Sequence, residues 1–488
     1  MIRNQSSAQK RSSLRPASHL ALAIALATGA FAASSAIAPA AYAQDKPKYS
    51  KKFEKAGTPA VEALQKLDND PALAAIVAQI STADDAAKSA LRAQLVSQTD
   101  ILTKIAAMNA AAETVDDRYT AGQYTLNWGV KAGDPEYQQK GILMSLESGK
   151  TPPQKVAEYN WFVGSIAFQK DDWSTAQTYV RRAIDGGWTR AGVVAVLGES
   201  YFRAGDIAGG TQAILDLSQS NPALVDEGAI TGALKYAYDG GKFYEVVKLV
   251  TLLNDRFPSE ASSRYYDNVP RQTAGDMSAD ELNGAIAKLL AEENSPENWS
   301  FATTAIVENS RYTEAESVDA MRLLMRTNAL RRGGEFRDYL RGLNPSLYPT
   351  EAQSIIDAAI ASGALTSAEL AEAISQTKSN SGSDRQYLND KSNRARASSD
   401  AKVASSLANT ALSLGDPVTA QEMFELVVNR GGADIDTALI RLGIARLDQK
   451  NFDGAREAFS RVTGKHKSLA NLWTTYAKNQ QSSAGTTM

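Results

Sequence analysis

The chain has 488 residues, 43% hydrophobic and 22% charged, an ordinary balance that leaves room for roughly two to four domains or one long repeat array. Cysteine is absent, which excludes disulfides, thiol nucleophiles, zinc sites that need Cys, and lipid attachment at a leader cysteine. With 52 basic and 55 acidic residues the chain lacks the positive footprint expected for nucleic acid or anionic lipid.

Residues 1–43 read as a cleavable export signal. Arg3, Lys10, Arg11 and Arg15 form a basic stretch with no acidic residue before Asp45, and an apolar run follows from Leu20 to Ala33. Ala41-Tyr42-Ala43 then supplies the small-x-small pattern that a signal peptidase cuts, ahead of Gln44. The earlier Ala36-Ile37-Ala38 would leave Pro39 directly after the cut, where its rigid ring fits poorly. The apolar run is shorter than the roughly 20 residues a membrane span needs. Removal of the leader takes four basic residues, so 52 against 55 becomes 48 against 55 and the mature chain carries net −7. The expected location is a bacterial periplasm, with release to the medium as the alternative, and neither a membrane span nor a nucleic-acid partner is expected.

Residues 44–150 read as an N-terminal helical region, with a faint hairpin over Leu126 to Ser145. The pattern sharpens over 151–258. From Gly164, Trp173 lies nine residues on, Ala176 twelve, Val180 sixteen and Ala183 nineteen. Moving the anchor 34 residues to Gly198 places Ile207, Gly210, Ile214 and Leu217 at the same offsets, with Pro222 closing the unit. A third unit fits with a two-residue slip: Leu234, Phe243, Val246, Val250, Leu253 and Pro258. Such offsets describe two antiparallel helices whose small residues let the backbones approach, while large apolar residues fill the space beside them.

Residues 259–375 read as a degenerate helical block. Capping boxes stand at Ser278-Ala279-Asp280-Glu281 and Thr366-Ser367-Ala368-Glu369, and Ser295-Pro296 reads as a cap followed by Pro at the first helical position. Gly333-Gly334 and Asn344-Pro345 read as helix ends. The stretch 376–400 is rich in Ser, Asn, Lys and Arg, and reads as a flexible polar linker or long loop. Over 401–480 the repeat returns. Ala408 precedes Ala420, Phe424 and Val427, and Gly443 precedes Phe452, Ala455, Phe459 and Val462. Leu469, Leu472, Trp473 and Tyr476 follow at helical spacing as a closing helix.

With Leu197-Gly198-Glu199-Ser200-Tyr201 and Leu442-Gly443-Ile444-Ala445-Arg446 as its best matches, the pattern resembles the tetratricopeptide repeat family over about 156–258 and 401–464. The resemblance implies an all-α, helical-hairpin solenoid and a habit of binding, not a reaction.

Catalytic chemistry finds little support. After loss of His19 the mature chain has one histidine, His466, between Lys465 and Lys467, where flanking cations lower a base's strength. Gly149-Lys150-Thr151 lacks the upstream glycine of a phosphate loop and runs at once into Pro152-Pro153. Ser375-Gln376-Thr377-Lys378 has serine–lysine spacing without companion motifs. Adjacent acids such as Asp84-Asp85, Asp171-Asp172 and Glu292-Glu293 point about 100° apart on a helix and do not share a face. No enzyme activity, cofactor or metal is expected.

The candidate partner-binding residues line the first helix of each hairpin: Trp161, Ser165, Phe168 and Gln169, then Glu199, Phe202 and Arg203, then Lys235, Tyr238 and Asp239. Aromatics interleaved with both charge signs suit an extended peptide or a partner's tail. The alternative is that Phe168 and Phe202 complete the core between hairpins. The sequence points to an exported adaptor that binds a protein or peptide. Its alternative is an envelope protein that binds or cleaves glycans.

Overall fold

A computed structural model describes residues 47–379, 383–431 and 434–485. The expected export signal lies outside the described residues. Among them are 25 α-helices and no strand. The chain divides into two compact units, one up to Tyr236 and one from Ala237 onward.

One turn recurs through both units. Three residues separate α5 (Val115–Lys131) from α6 (Pro135–Glu147), α7 (Pro153–Gln169) from α8 (Trp173–Asp185), and α9 (Val193–Arg203) from α10 (Ile207–Ser220). The same spacing separates α11 (Glu227–Asp239) from α12 (Phe243–Arg256), α21 (Ala401–Ser413) from α22 (Pro417–Asn429), and α23 (Ile435–Asp448) from α24 (Phe452–Ser460). In each turn the middle residue has positive φ: Gly133, Asp171, Gly205, Gly241, Gly415 and Lys450. The next N–H reaches back five residues, as from Asp172 to the Ala167 carbonyl at 2.9 Å and from Asn451 to the Arg446 carbonyl at 2.9 Å. This left-handed step ties off the loose carbonyls of the first helix. The residue that donates this bond then caps the second helix with its side chain, as Asp134, Asp172, Asp206, Asp416 and Asn451 do.

In the first unit, α1 (Lys51–Asn69), α2 (Pro71–Ile80), α3 (Asp85–Thr99) and α4 (Ile101–Ala110) precede the hairpins. They share a core of Leu64, Leu67, Leu73, Leu95, Ile101 and Ile105 with Trp128 of α5. Leu126 and Ile142 of the α5/α6 hairpin pack in turn with Phe162, Val163 and Ile166 of α7. The N-terminal region is therefore continuous with the repeats. Its faint Leu126–Ser145 hairpin packs backbone against backbone, with Gly122 and Gly141 facing each other. A Cβ on Gly141 would lie 2.3 Å from the Leu126 nitrogen, and one on Gly129 would lie 2.4 Å from the Gln138 nitrogen.

The second unit continues with α13 (Glu260–Gly275), α14 (Ala279–Glu292), α15 (Pro296–Asn309), α16 (Val318–Arg326), α17 (Gly333–Leu343) and α18 (Pro349–Ala361). The Ser278 capping box forms, with Oγ donating to Glu281 Oε2 at 2.6 Å, and Ser295 caps α15 ahead of Pro296. Gly333-Gly334 open a helix instead of ending one. At Thr366 and Glu369 the reciprocal bonds form, although the regular helix α19 (Ala371–Ser379) starts only after them.

The linker expected at 376–400 is a correction. It holds the end of α19 and a further helix, α20 (Ser383–Ala397). Leu388 and Ala395, two turns apart on one face, are buried against Leu407, Ala408 and Met423. Arg396 grips Glu422 with two bonds, at 2.7 and 2.9 Å, and Arg430 donates to the carbonyls of Ala395 and Arg396. Polar composition hid this because so small an apolar stripe suffices when neighbouring helices supply the rest of the core.

The second unit also closes on itself. Its last helix, α25 (Lys467–Gly485), packs on α14 and α15. Asn283 donates to Ser468 at 3.1 Å, Asn479 to Asn294 at 3.2 Å, and Arg326 forks onto Asp448 at 2.6 and 3.0 Å.

Candidate partner-binding surface and a buried charge cluster

The candidate residues of the first unit separate by exposure. Trp161, Ser165, Phe168 and Phe202 are buried, whereas Gln169 and Arg203 are exposed and Glu199 and Lys235 are half-buried. Trp161 stacks on Trp188 at 5.8 Å and Phe168 meets the edge of Trp173 at 5.4 Å. Phe202 stacks on Tyr236 at 4.9 Å. The aromatic members thus complete the packing between hairpins. Tyr238 and Asp239 belong to the second unit, half-buried and exposed respectively.

What reaches the surface is a chain of side chains over successive hairpins. The Arg203 guanidinium lies 5.9 Å from the centre of the Trp173 ring and donates to Glu199 at 2.8 Å. Tyr236 donates to the same Glu199 oxygen at 3.4 Å. The bond to Glu199 raises the Arg203 pKa above its ordinary value, and desolvation followed by Glu199 raises that of Tyr236. Sequence reading missed Trp173, which served there as a packing offset, and Tyr236, which stands beside the chosen Lys235.

Elsewhere the singled-out motifs take structural roles. Lys150 of Gly149-Lys150-Thr151 pairs with Asp116 at 2.7 Å. His466 lies half-buried against Tyr312, ring centres 5.1 Å apart. Among the described residues no cluster of His, Cys, Asp or Glu could hold a metal ion, and no helix is long and apolar enough to cross a membrane.

The second unit contains a charge cluster that sequence reading did not find. Asp319 is only 3% exposed. It accepts from Arg322 of its own helix at 2.6 Å and from Arg441 of α23 at 2.9 Å. Arg322 also forks onto Glu351 at 2.8 and 2.7 Å, and Tyr339 donates to Glu351 at 2.8 Å. Arg441 finishes on Asn409 at 2.7 Å. Two carboxylates and two guanidiniums balance. Spacing gave no warning: Asp319, Arg322 and Arg326 share one polar stripe of a strongly amphipathic helix, which reads as a solvated face until Glu351 and Arg441 are seen to cover it.

Desolvation pushes the Asp319 carboxyl up, but Arg441 and Arg322 overcome it and hold its pKa below the usual range. Desolvation opposes Glu351 likewise, and Arg322 with Tyr339 holds it low. Because both folded pKa values are depressed, their contribution is present above the unfolded values near 4 and is lost as pH falls through the folded ones. The stability difference between the native chain and Glu351→Gln, from urea unfolding, should be full at about pH 6 and shrink below about pH 4. A difference constant down to pH 2 would show that the Glu351 carboxyl is not ionised in the folded chain.

The recurring turn, its Asx cap and the glycine-mediated approach of paired helices decide the fold. It is a tetratricopeptide-like helical repeat. No family model and no curated protein matches the chain. Among solved structures, the pentatricopeptide repeat protein PPR10 from maize is similar at 12% identity, covering 86% of this chain and 61% of that one, with a TM-score of 0.25. This chain therefore spans about three fifths of the maize protein's length. The P58(IPK) TPR domain is similar at 12% identity, covering 88% and 99%, with a TM-score of 0.19. The APC/C hetero-tetramer Cut9-Hcn1 is similar at 11% identity, covering 87% and 88%, with a TM-score of 0.17. At these TM-scores the likenesses carry no argument, and the tetratricopeptide-like reading stands on the hairpins themselves.

Proposed function

We propose that this chain is an exported, non-catalytic adaptor that binds a protein or peptide partner along the first helices of its first unit. The observation that carries the reading is the line Trp173, Arg203, Glu199 and Tyr236, which links successive hairpins and presents aromatic rings beside a preformed ion pair. Aromatic residues and Arg are the anchors enriched where proteins meet. Phe168 and Phe202 support that line from beneath, meeting Trp173 and Tyr236. The leader pattern of residues 1–43 supports export to a periplasm, and the acidic balance favours a protein partner over nucleic acid.

The test is crosslinking of tagged mature protein in intact source cells, followed by mass spectrometry, for the native chain and for Glu199→Ala/Arg203→Ala. The expected result is a small, reproducible set of envelope proteins that the double variant loses while its circular dichroism is unchanged. An unchanged set counts against this surface.

A second reading, glycan binding, draws on a polar cavity of about 270 Å³ in the second unit, where Asn294, Trp299, Asn328, Tyr476 and Asn479 converge. Recovery of cell-wall fragments without protein would favour it.

A further inference from the structure

The polar cavity of the second unit, about 270 Å³, opens between three stretches of chain. Asn294 and Trp299 come from the start of α15 and the turn before it, and Asn328 from the turn after α16. Tyr476, Asn479 and Gln480 come from α25. Asn294, Asn328 and Gln480 are exposed, and Tyr476 and Asn479 are half-buried, so these side chains are open to a ligand. Tyr476 is held between two indoles, nearly perpendicular to Trp299 at 6.2 Å and to Trp473 at 5.8 Å.

The hydrogen bonds at this cavity have a fixed direction. An indole N–H can only donate, so its 2.6 Å bond turns the Asn294 oxygen toward Trp299. The Asn479 amide group donates to the same oxygen at 3.2 Å. That leaves the Asn294 amide nitrogen and the Asn479 side-chain oxygen without partners among the described residues. The Tyr476 hydroxyl and the side chains of Asn328 and Gln480 form no hydrogen bond among them either. The one charged residue of the lining, Arg326, is already engaged on Asp448 at 2.6 and 3.0 Å. Unused donors and acceptors are thus mixed around a cavity with no free charge. An anion presents acceptors only and an ammonium donors only, whereas a hydroxyl does both. The volume lies below the roughly 300–1,000 Å³ of pockets for drug-sized ligands, which suits one ring and not a chain of them.

We infer that this cavity binds a single uncharged sugar ring, and that the bound ring ties α25 to α15 and α16. The inference deepens the glycan reading of the cavity and rests on it. Ring hydroxyls accept from the Asn294 amide and donate to the Asn479 oxygen, while Tyr476, Asn328 and Gln480 meet the remaining ones. Because α25 supplies one side of the lining, the cavity is complete only while that helix is in place. A ligand that needs the complete cavity stabilises the placement of α25 by mass action.

The test titrates glucose, N-acetylglucosamine, glucosamine and glucose 6-phosphate into the mature chain by calorimetry. At least one of the two uncharged sugars is expected to bind with a Kd of about 1 mM, and the charged analogues about tenfold more weakly, since their charges find no partner there. Tyr476→Phe keeps the ring between its indoles and removes the hydroxyl. Asn328→Gly removes the amide and keeps the left-handed backbone, φ 55°. Each should weaken binding about tenfold, a difference of about 1.4 kcal/mol, with circular dichroism unchanged. With ligand at about ten times its Kd, amide hydrogen exchange in α25 should slow about tenfold. No binding of either uncharged sugar, equal binding of the charged ones, insensitivity to both variants, or binding without slower exchange in α25 would overturn the inference. Recovery of cell-wall fragments from cells by a chain that binds no single sugar would overturn it while leaving the glycan reading in place. Glu199→Ala/Arg203→Ala should leave sugar binding untouched, which separates failure here from failure of the adaptor surface.

Discussion

Replacing Asp319 by alanine should destabilise the second unit by about 3–5 kcal/mol, because it leaves buried cations without their counter-charge. Arg322 keeps Glu351 and Arg441 keeps Asn409, but both lose the carboxylate that joins them. Urea unfolding measures the loss, and hydrogen exchange should rise in α23 to α25, the elements that Arg441 ties to α16. The paired replacement Asp319→Leu/Arg441→Met should recover much of the loss, since an apolar pair carries no desolvation penalty. A loss under about 1 kcal/mol for the single variant would mean that water reaches the cluster and screens it.

Gly141→Ala should destabilise the first unit by about 3 kcal/mol, the upper end of the overpacking range. The new Cβ would fall 2.3 Å from the Leu126 nitrogen and 2.6 Å from the Gly122 oxygen, and neither backbone atom can rotate away. Gly57→Ala provides the control, since its Cβ meets only side-chain atoms at ordinary distance and should stabilise α1 by up to about 1 kcal/mol. Thermal unfolding of the two variants should move in opposite directions. If Gly141→Ala unfolds as the native chain does, α5 and α6 can separate without loss and do not act as one packed hairpin.

The hairpins were legible where their offsets carried aromatic or branched residues. Gly164, Gly198 and Gly443 each begin such a series, and each lies on a first helix as expected. The α5/α6 hairpin was faint because its contact is glycine on backbone, which leaves almost no side-chain signature. Residues 383–397 were misread because composition counts apolar residues and ignores what neighbours contribute. Leu388 and Ala395 suffice only because Leu407, Ala408 and Met423 meet them. The aromatic positions show the same limit. Helical spacing put Phe168 and Phe202 on the right helices but could not say that Trp173 and Tyr236 would cover them. The charge cluster was the least legible, since Arg441 and Asp319 are brought together across 122 positions.

Those distant ties have a consequence for the order in which the chain matures. Each hairpin of the first unit can form as soon as its own residues are available, since its turn, cap and contacts are local. The middle helices of the second unit cannot finish. Asn283 waits for Ser468, 185 positions later, and Arg326 waits for Asp448. Until the last helix arrives, the α14–α15 face that it covers, with Trp299 meeting Tyr476 at 6.2 Å, has no cover from this chain. A chain emerging from its N-terminus therefore spends its longest interval with that face open, and its C-terminal residues act as the latch that ends the interval.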